Sequence, residues 1–332
     1  MVELLATARS ARAAVLSAAD SLGLYRLIGD SSWRRRRLLI ICYHGVSLTD
    51  EHLWHDELFV TPAFLRRRFE LLLQERCNVL ELGKAVELLQ SGQLPERSVA
   101  LTFDDGLYDF HAAAAPLLSE FGFPATVYVS TYHTVHQRPV LSFAIRYFLW
   151  KARADPGQLT SLLAEARTLS QDRNAQQVWL ENLARKLQVD WRAFCASRIF
   201  HLMNETELAD LAQRGFDIQL HTHRHRTPAD AGLFKAEIAE NRTIIERCTG
   251  KPATHFCYPS GLTSPLFLPW LTESNVRTAT TCDPSLAQQK SNPLMLPRFV
   301  DTMGQSELAF RGWLTGIAQL TPRARVPAVV GD

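Results

Sequence analysis

The stretch SVALTFDDG, residues 98–106, decides the fold. Ser98–Phe103 is a short, mainly apolar run with β-branched and aromatic side chains, closed by two adjacent carboxylates and a glycine. A run of this kind between turn signals reads as a strand buried on both faces, as in a parallel sheet covered by helices. Side chains at a strand end diverge once the pleat relaxes. Asp104 and Asp105 can therefore take separate tasks, one binding a metal and the other working as a base. Asp-Gly is also a common turn dipeptide, so DDG alone reads equally well as a plain turn.

The same pattern repeats along the chain. Strands are predicted at Leu38–Tyr43, Ala125–Val129, Phe216–Leu220 and His255–Tyr258, with a weaker one at Leu294–Phe299. Helical patterns lie between them. Thr61 followed by Pro62 opens one, a hydroxyl cap before a proline at the first helical position. Asn204 with Glu207 three residues on has the spacing of a capping box, and Gly215 stops that helix. Gly250 ends another that starts near Pro228. This alternation predicts an α/β domain with parallel strands. Residues 133–203 break the rhythm with helical patterns such as TSLLAEARTL and VWLENLARKL. They read as a helical insertion between two barrel strands: a lid, a substrate-binding wall or a plain surface elaboration.

Composition sets limits. The 332 residues allow one large domain or two small ones. At 46% apolar and 21% charged, bulk disorder is excluded. Thirty-six basic against 34 acidic side chains leave a formal charge of +2, which removes a compositional case for nucleic acid. No apolar run reaches the ~18 residues of a transmembrane helix. The six cysteines form no C-x-x-C pair and read as free thiols in a reducing compartment. Residues 1–30 read as an amphipathic helix, with Arg9 and Arg12 inside the apolar part rather than in signal-peptide order. Such a helix either packs on the domain or makes peripheral membrane contact, the second reading helped by Arg34–Arg37 just downstream. The expected location is cytoplasmic, with membrane association in the second case.

The remaining chemistry-bearing residues also cluster at predicted strand ends. LHTHRH, residues 220–225, brings three histidines within five residues. His221 and His225 would share one face of a helical turn, as a metal pair requires, whereas His221 and His223 would share a face if the strand continued. A surface histidine cluster is the plain alternative. His44 follows the first strand, Tyr258 closes the HFCY strand, and Arg298 lies in LPRFVD as an anion partner. In a β/α barrel, the C-terminal ends of the strands are where active sites are built. Carboxylates and imidazoles converging there suit a divalent metal, most simply zinc.

These motifs resemble the polysaccharide deacetylase family, the NodB-homology carbohydrate esterases. TFDDG at 102–106 is similar to the family's first motif and His221-Thr222-x-x-His225 to its H-[S/T]-x-x-H metal motif. FCYPSG at 256–261 and YHGV at 43–46 resemble motifs of exopolysaccharide-type members. The resemblance spans roughly residues 38–130 and 200–300. It implies a distorted (β/α)7 barrel over 38–320, interrupted by the insertion, with an N-terminal helical segment 1–37 and a tail 321–332. It implies Asp105, His221 and His225 as ligands of Zn2+ or another divalent metal, Asp104 as general base, and a backbone N–H near Tyr258 for the oxyanion. The implied activity is hydrolysis of N-acetyl groups from an amino sugar in a polysaccharide or glycan precursor. Two alternatives stay open: a glycan-binding module that has lost turnover, and an amidohydrolase acting on a non-sugar amide. The sequence departs from the family pattern where a late Leu-x-His should supply the acid, since LMLPRF stands there. The arginine that usually precedes the third motif's proline is also missing. Arg298 is then the candidate to orient Asp104, and His44 the candidate acid.

Overall fold

In the computed structural model, residues 13–169 and 173–321 are described. The apolar runs are strands buried along almost their whole length: β1, Arg37–Tyr43, loses only its first residue to partial exposure, and all six residues of β5, Ser98–Phe103, are buried. Between them come the short strands β2, Gly45–Val46, β3, Phe59–Val60, and β4, Asn78–Leu80. After β5 follow β6, Thr126–Val129, β7, Asp217–Leu220, β8, His255–Cys257, β9, Thr278–Thr280, β10, Ala287–Gln288, and β11, Phe299–Val300.

Strands β1, β5, β6, β7, β8 and β9 pair in that order, each parallel to its neighbour. The last segment closes the ring in two steps. Leu296 bridges in parallel to Thr280, and three residues later β11 pairs in parallel with Ile41 and Cys42 of β1. Seven parallel segments thus enclose a distorted α/β barrel. β4 extends the sheet beside the start of β5, and β10 lies antiparallel to the start of β1. The missed strands β4 and β9 are three residues long, too short to show a period.

The helix signals act as read. Thr61 Oγ1 accepts from Phe64 N–H and starts the helix Pro62–Gln74. Its buried Leu65, Phe69 and Leu72 follow the helical repeat onto the barrel. Asn204 and Glu207 make the reciprocal capping box of Glu205–Gln213, and Gly250 caps Ala231–Thr249 in the left-handed conformation. The stretch between β6 and β7 is helical, with Leu141–Lys151, Leu159–Thr168, Arg173–Lys186 and Trp191–Ser197. These helices share a core of Ile145, Phe148, Leu180, Phe194 and Phe200, into which the barrel sends Phe59 and Leu107.

At the N-terminus, residues 1–12 of the expected amphipathic helix lie outside the described residues, as do residues 322–332 of the tail. From residue 13 to 21 the chain is helical, and Leu16, Ala19 and Tyr25 pack with Ile317 near the C-terminus. Tyr25 Oη donates to Leu308 O at 3.1 Å. Leu16, Ala19 and Tyr25 are thus covered by protein, while Val15, Leu22 and Leu27 are exposed. Of the four arginines just downstream, Arg34 is fully buried and donates to the carbonyls of Leu314, Arg37 and Ser98. No described helix is long and apolar enough to cross a membrane.

Candidate active site

The DDG turn follows β5 directly. Asp104 N–H donates to Tyr43 O at 2.9 Å, which keeps Asp104 in the barrel ladder, and the chain then turns at Asp105 with φ +71°. The two carboxylates diverge because of that left-handed residue. Gly106 follows at φ +81°, and a Cβ there would stand 2.6 Å from Val129 Cγ1. Only glycine fits this approach of the turn to β6.

Asp105 meets the histidines. Its Oδ1 lies 3.2 Å from His221 Nε2 and 3.2 Å from His225 Nε2, and the two imidazoles are 4.9 Å apart between centroids. His221 is 2% exposed and His225 33%, so the group opens outward on the His225 side. The pair converges, but on a tight turn rather than a helix: β7 ends at Leu220, and Thr222 and His225 both take left-handed conformations. Strain of this kind is kept where the surroundings over-determine it. His223 turns away, its Nδ1 2.9 Å from Thr131 Oγ1.

The donor chemistry of this trio suits a divalent metal. His221 Nδ1 lies 2.9 Å from Cys257 O, an atom that can only accept. The proton therefore sits on Nδ1 and the Nε2 lone pair points at Asp105, the arrangement seen for metal-bound imidazoles. One carboxylate oxygen and two imidazole nitrogens, all within 4.8 Å of one another, form a set with nitrogen and oxygen donors of the zinc type. Burial pushes the Asp105 carboxyl up, but the His221 and His225 rings beside it hold it well below the usual carboxylate range. It presents a full negative charge to the gap between the rings.

Asp104 sits deeper, at 3% exposure. Arg298 grips it in a fork, Nη1 to Oδ1 at 2.7 Å and Nη2 to Oδ2 at 2.7 Å. Arg298 Nη1 also donates to Thr102 Oγ1 and Nε to Thr281 O, so the guanidinium is pinned on three sides. Burial pushes Asp104 up, and the charge and hydrogen bonds of Arg298 overcome this to hold it well below its usual value. Two thiols join: Cys257 Sγ lies 3.3 Å and Cys42 Sγ 3.5 Å from Asp104 Oδ2. His44 Nε2 stands 3.8 Å from the same oxygen, on a side chain 19% exposed.

Tyr258 is a correction. Its N–H donates to Thr280 O and its Oη to Leu294 O, while the ring is buried against Phe256. Its own backbone N–H is taken up by pairing with Thr280.

The sequence reading overlooked several supporting residues. Asn241 Oδ1 accepts from His221 N–H, and its Nδ2 donates to Val129 O and Thr131 Oγ1, tying the histidine turn to the end of β6. Glu237 accepts from Arg224 N–H and pairs with Arg224 and Arg226, which braces the same turn. A signal existed. Glu237 and Asn241 lie on the buried stripe of Phe234, Ile238 and Ile245 in the helix Ala231–Thr249, where a polar residue must have a partner.

The insertion borders this site. Its return segment holds the DDG turn through Tyr108 N–H to His201 O and Met203 N–H to Gly106 O, with Leu107 and Leu202 paired antiparallel.

Comparison with known proteins accords with this geometry. The family model described as polysaccharide deacetylase matches residues 91–279, more than half of the chain. Poly-beta-1,6-N-acetyl-D-glucosamine N-deacetylase of Escherichia coli K12 is 30% identical over 100 residues, covering 30% of this chain and 15% of that protein. The chain therefore aligns with only a small part of that relative's length. The deacetylase PplD of Streptococcus pyogenes, solved with acetate, superposes with a TM-score of 0.60 at 17% identity, over 84% of this chain and 97% of that one. IcaB from Ammonifex degensii gives 0.58 at 16% identity, again over 84% and 97%. At such identities the superpositions speak for the barrel fold. Together with the DDG turn and the paired histidines, the family match leads to one conclusion: the chain belongs to the polysaccharide deacetylase family.

Proposed function

We propose that the chain removes N-acetyl groups from an amino sugar within a polysaccharide or glycan precursor, in a reaction that depends on a divalent metal. One observation carries this reading: an open carboxylate–imidazole trio, Asp105, His221 and His225, beside a second carboxylate that is held ionised. The trio would hold the metal, with zinc suited by the donor set. When bound, such an ion supplies Lewis acidity toward a water and an acetamide carbonyl. The rest falls to the chain's own residues. Arg298 fixes Asp104 as a carboxylate, ready to accept a proton from the attacking water. His44, beside Asp104 and partly open, is positioned to deliver a proton to the departing amine. An amine leaves poorly unless protonated, so the missing Leu-x-His histidine must be replaced, and His44 stands where it can do so. The name of the Escherichia coli relative supports an N-acetylglucosamine polymer of exopolysaccharide type as the substrate class.

Acetate release from N-acetylglucosamine oligomers tests the reading. Asp104→Asn is expected to lower kcat by about 10²–10⁴. Undiminished turnover in that variant would contradict the assignment.

A further inference from the structure

The helical insertion encloses a pocket of about 90 Å3. The segment that opens the insertion touches both turns of the metal trio. Ser130 N–H donates to Asp105 O at 3.1 Å, Ser130 Oγ to His221 O at 2.9 Å, and Tyr132 N–H to His223 O at 2.8 Å. Tyr132 then starts the helix Tyr132–His136, which forms one wall of the pocket. The return segment forms another through His201, whose carbonyl accepts from Tyr108 N–H at 2.8 Å just after the DDG turn. Aromatic rings span the interval: the Tyr132 ring centroid stands 5.7 Å from that of His223 and 4.6 Å from that of His136. The pocket is therefore built on the backbone that sets Asp105 and the histidines.

Its lining has two characters. Leu141, Leu180 and Trp191 are apolar, whereas Gln176, Gln177 and the imidazoles are polar. Burial pushes the His133 ring down to about 4 and also lowers that of His201, so both are neutral near pH 7. Neutral imidazoles and amides donate and accept alike. His133 Nδ1 has no hydrogen-bond partner among the described residues. Among the described lining residues none is a carboxylate, and Arg138 is the one side chain with a fixed charge. The volume is several times the ~10–15 Å3 that one water needs, yet well short of the ~300–1,000 Å3 of a site that encloses a whole ligand. It admits a substituent rather than a complete sugar ring. Resting on the deacetylase reading, we infer that this pocket takes the acetamido group of a second sugar unit, farther along the substrate from the unit being hydrolysed. An acetamido group brings a methyl, a carbonyl and an N–H, which match the apolar wall and the mixed donors and acceptors. A hydroxyl brings no methyl, and an ionised group would be desolvated against neutral imidazoles. The substrate is then a chain that still carries acetyl groups around the reacting unit.

Cys195 is exposed and lines the pocket, so its alkylation reports occupancy independently of turnover. The full chain is treated with N-ethylmaleimide alone, with an N-acetylglucosamine pentasaccharide and with a glucose pentasaccharide, and the labelled peptides are followed by mass spectrometry. With the acetylated sugar at about ten times its Kd, labelling of Cys195 is expected to slow about tenfold, while Cys248 in the helix Ala231–Thr249 is unaffected. The glucose chain is expected to leave both rates unchanged. Gln177→Trp, on an exposed side chain, is expected to fill the pocket and raise KM for the acetylated pentasaccharide about tenfold at unchanged kcat. Labelling of Cys195 that ignores the acetylated sugar, equal protection by the glucose chain, or an unchanged KM in the filled variant overturns the inference. Protection of Cys195 by the acetylated sugar alone with no acetate release would sink the deacetylase reading and leave the pocket's assignment standing. Acetate release without protection does the reverse.

Discussion

Arg298→Met is expected to destabilise the fold by about 3–5 kcal/mol, because it strands a buried, ionised Asp104. Urea unfolding measures this; a loss under about 1 kcal/mol would mean that the fork contributes little. Asp109 behaves in the opposite way. It is 4% exposed, its Oδ1 has no hydrogen-bond partner among the described residues, and burial pushes its carboxyl well above the usual value. A raised folded-state pKa means the folded chain holds the proton more tightly than the unfolded one. The associated stability is complete below the unfolded value of about 4 and declines as pH rises toward the folded one. Asp109→Asn, a neutral isostere, lacks that decline. Its stability relative to the natural chain should therefore rise as pH is raised above about 4, by at most about 1.4 kcal/mol per pH unit. A difference independent of pH would contradict this. Residues that announce themselves in local motifs, such as Asp105, His221 and His225, were legible in the sequence. The thiols around Asp104 were not, because Cys42 and Cys257 are 62 and 153 residues away from it in the chain. Arg298 could be named as a candidate, but its fork on Asp104 follows only from ring closure.

At the scale of elements, the DDG turn depends on Gly106. Gly106→Ala combines a left-handed alanine with a contact against Val129, and is expected to cost about 2–4 kcal/mol in urea unfolding. A near-neutral result would show that the turn can retreat from β6. The long apolar strands and the capped helices were readable because each carries its period or its cap locally. The turn at 221–225 was misread as helical because i, i+4 spacing is shared by a helix and by this tight turn, and the left-handed Thr222 leaves no mark in composition. β11 retains two paired residues, since the closing segment divides its hydrogen bonds between β9 and β1.

At the scale of the whole molecule, closure of the barrel creates the site. β5 brings the carboxylates and β7 leads into the histidines, while Arg298 arrives just before β11 and His44 just after β1. The alternation of strands and helices made the barrel legible. The partition of the helical insertion into its own core was not, because Phe59 and Leu107 join that core from the barrel side. The same closure makes the central claim testable in one titration. Metal-stripped protein is titrated with zinc by calorimetry while acetate release is followed, beside His221→Ala. One site per chain is predicted, with activity rising in step with its occupancy, and both absent from the variant. Zinc binding that ignores His221, or full acetate release without metal, would contradict the account.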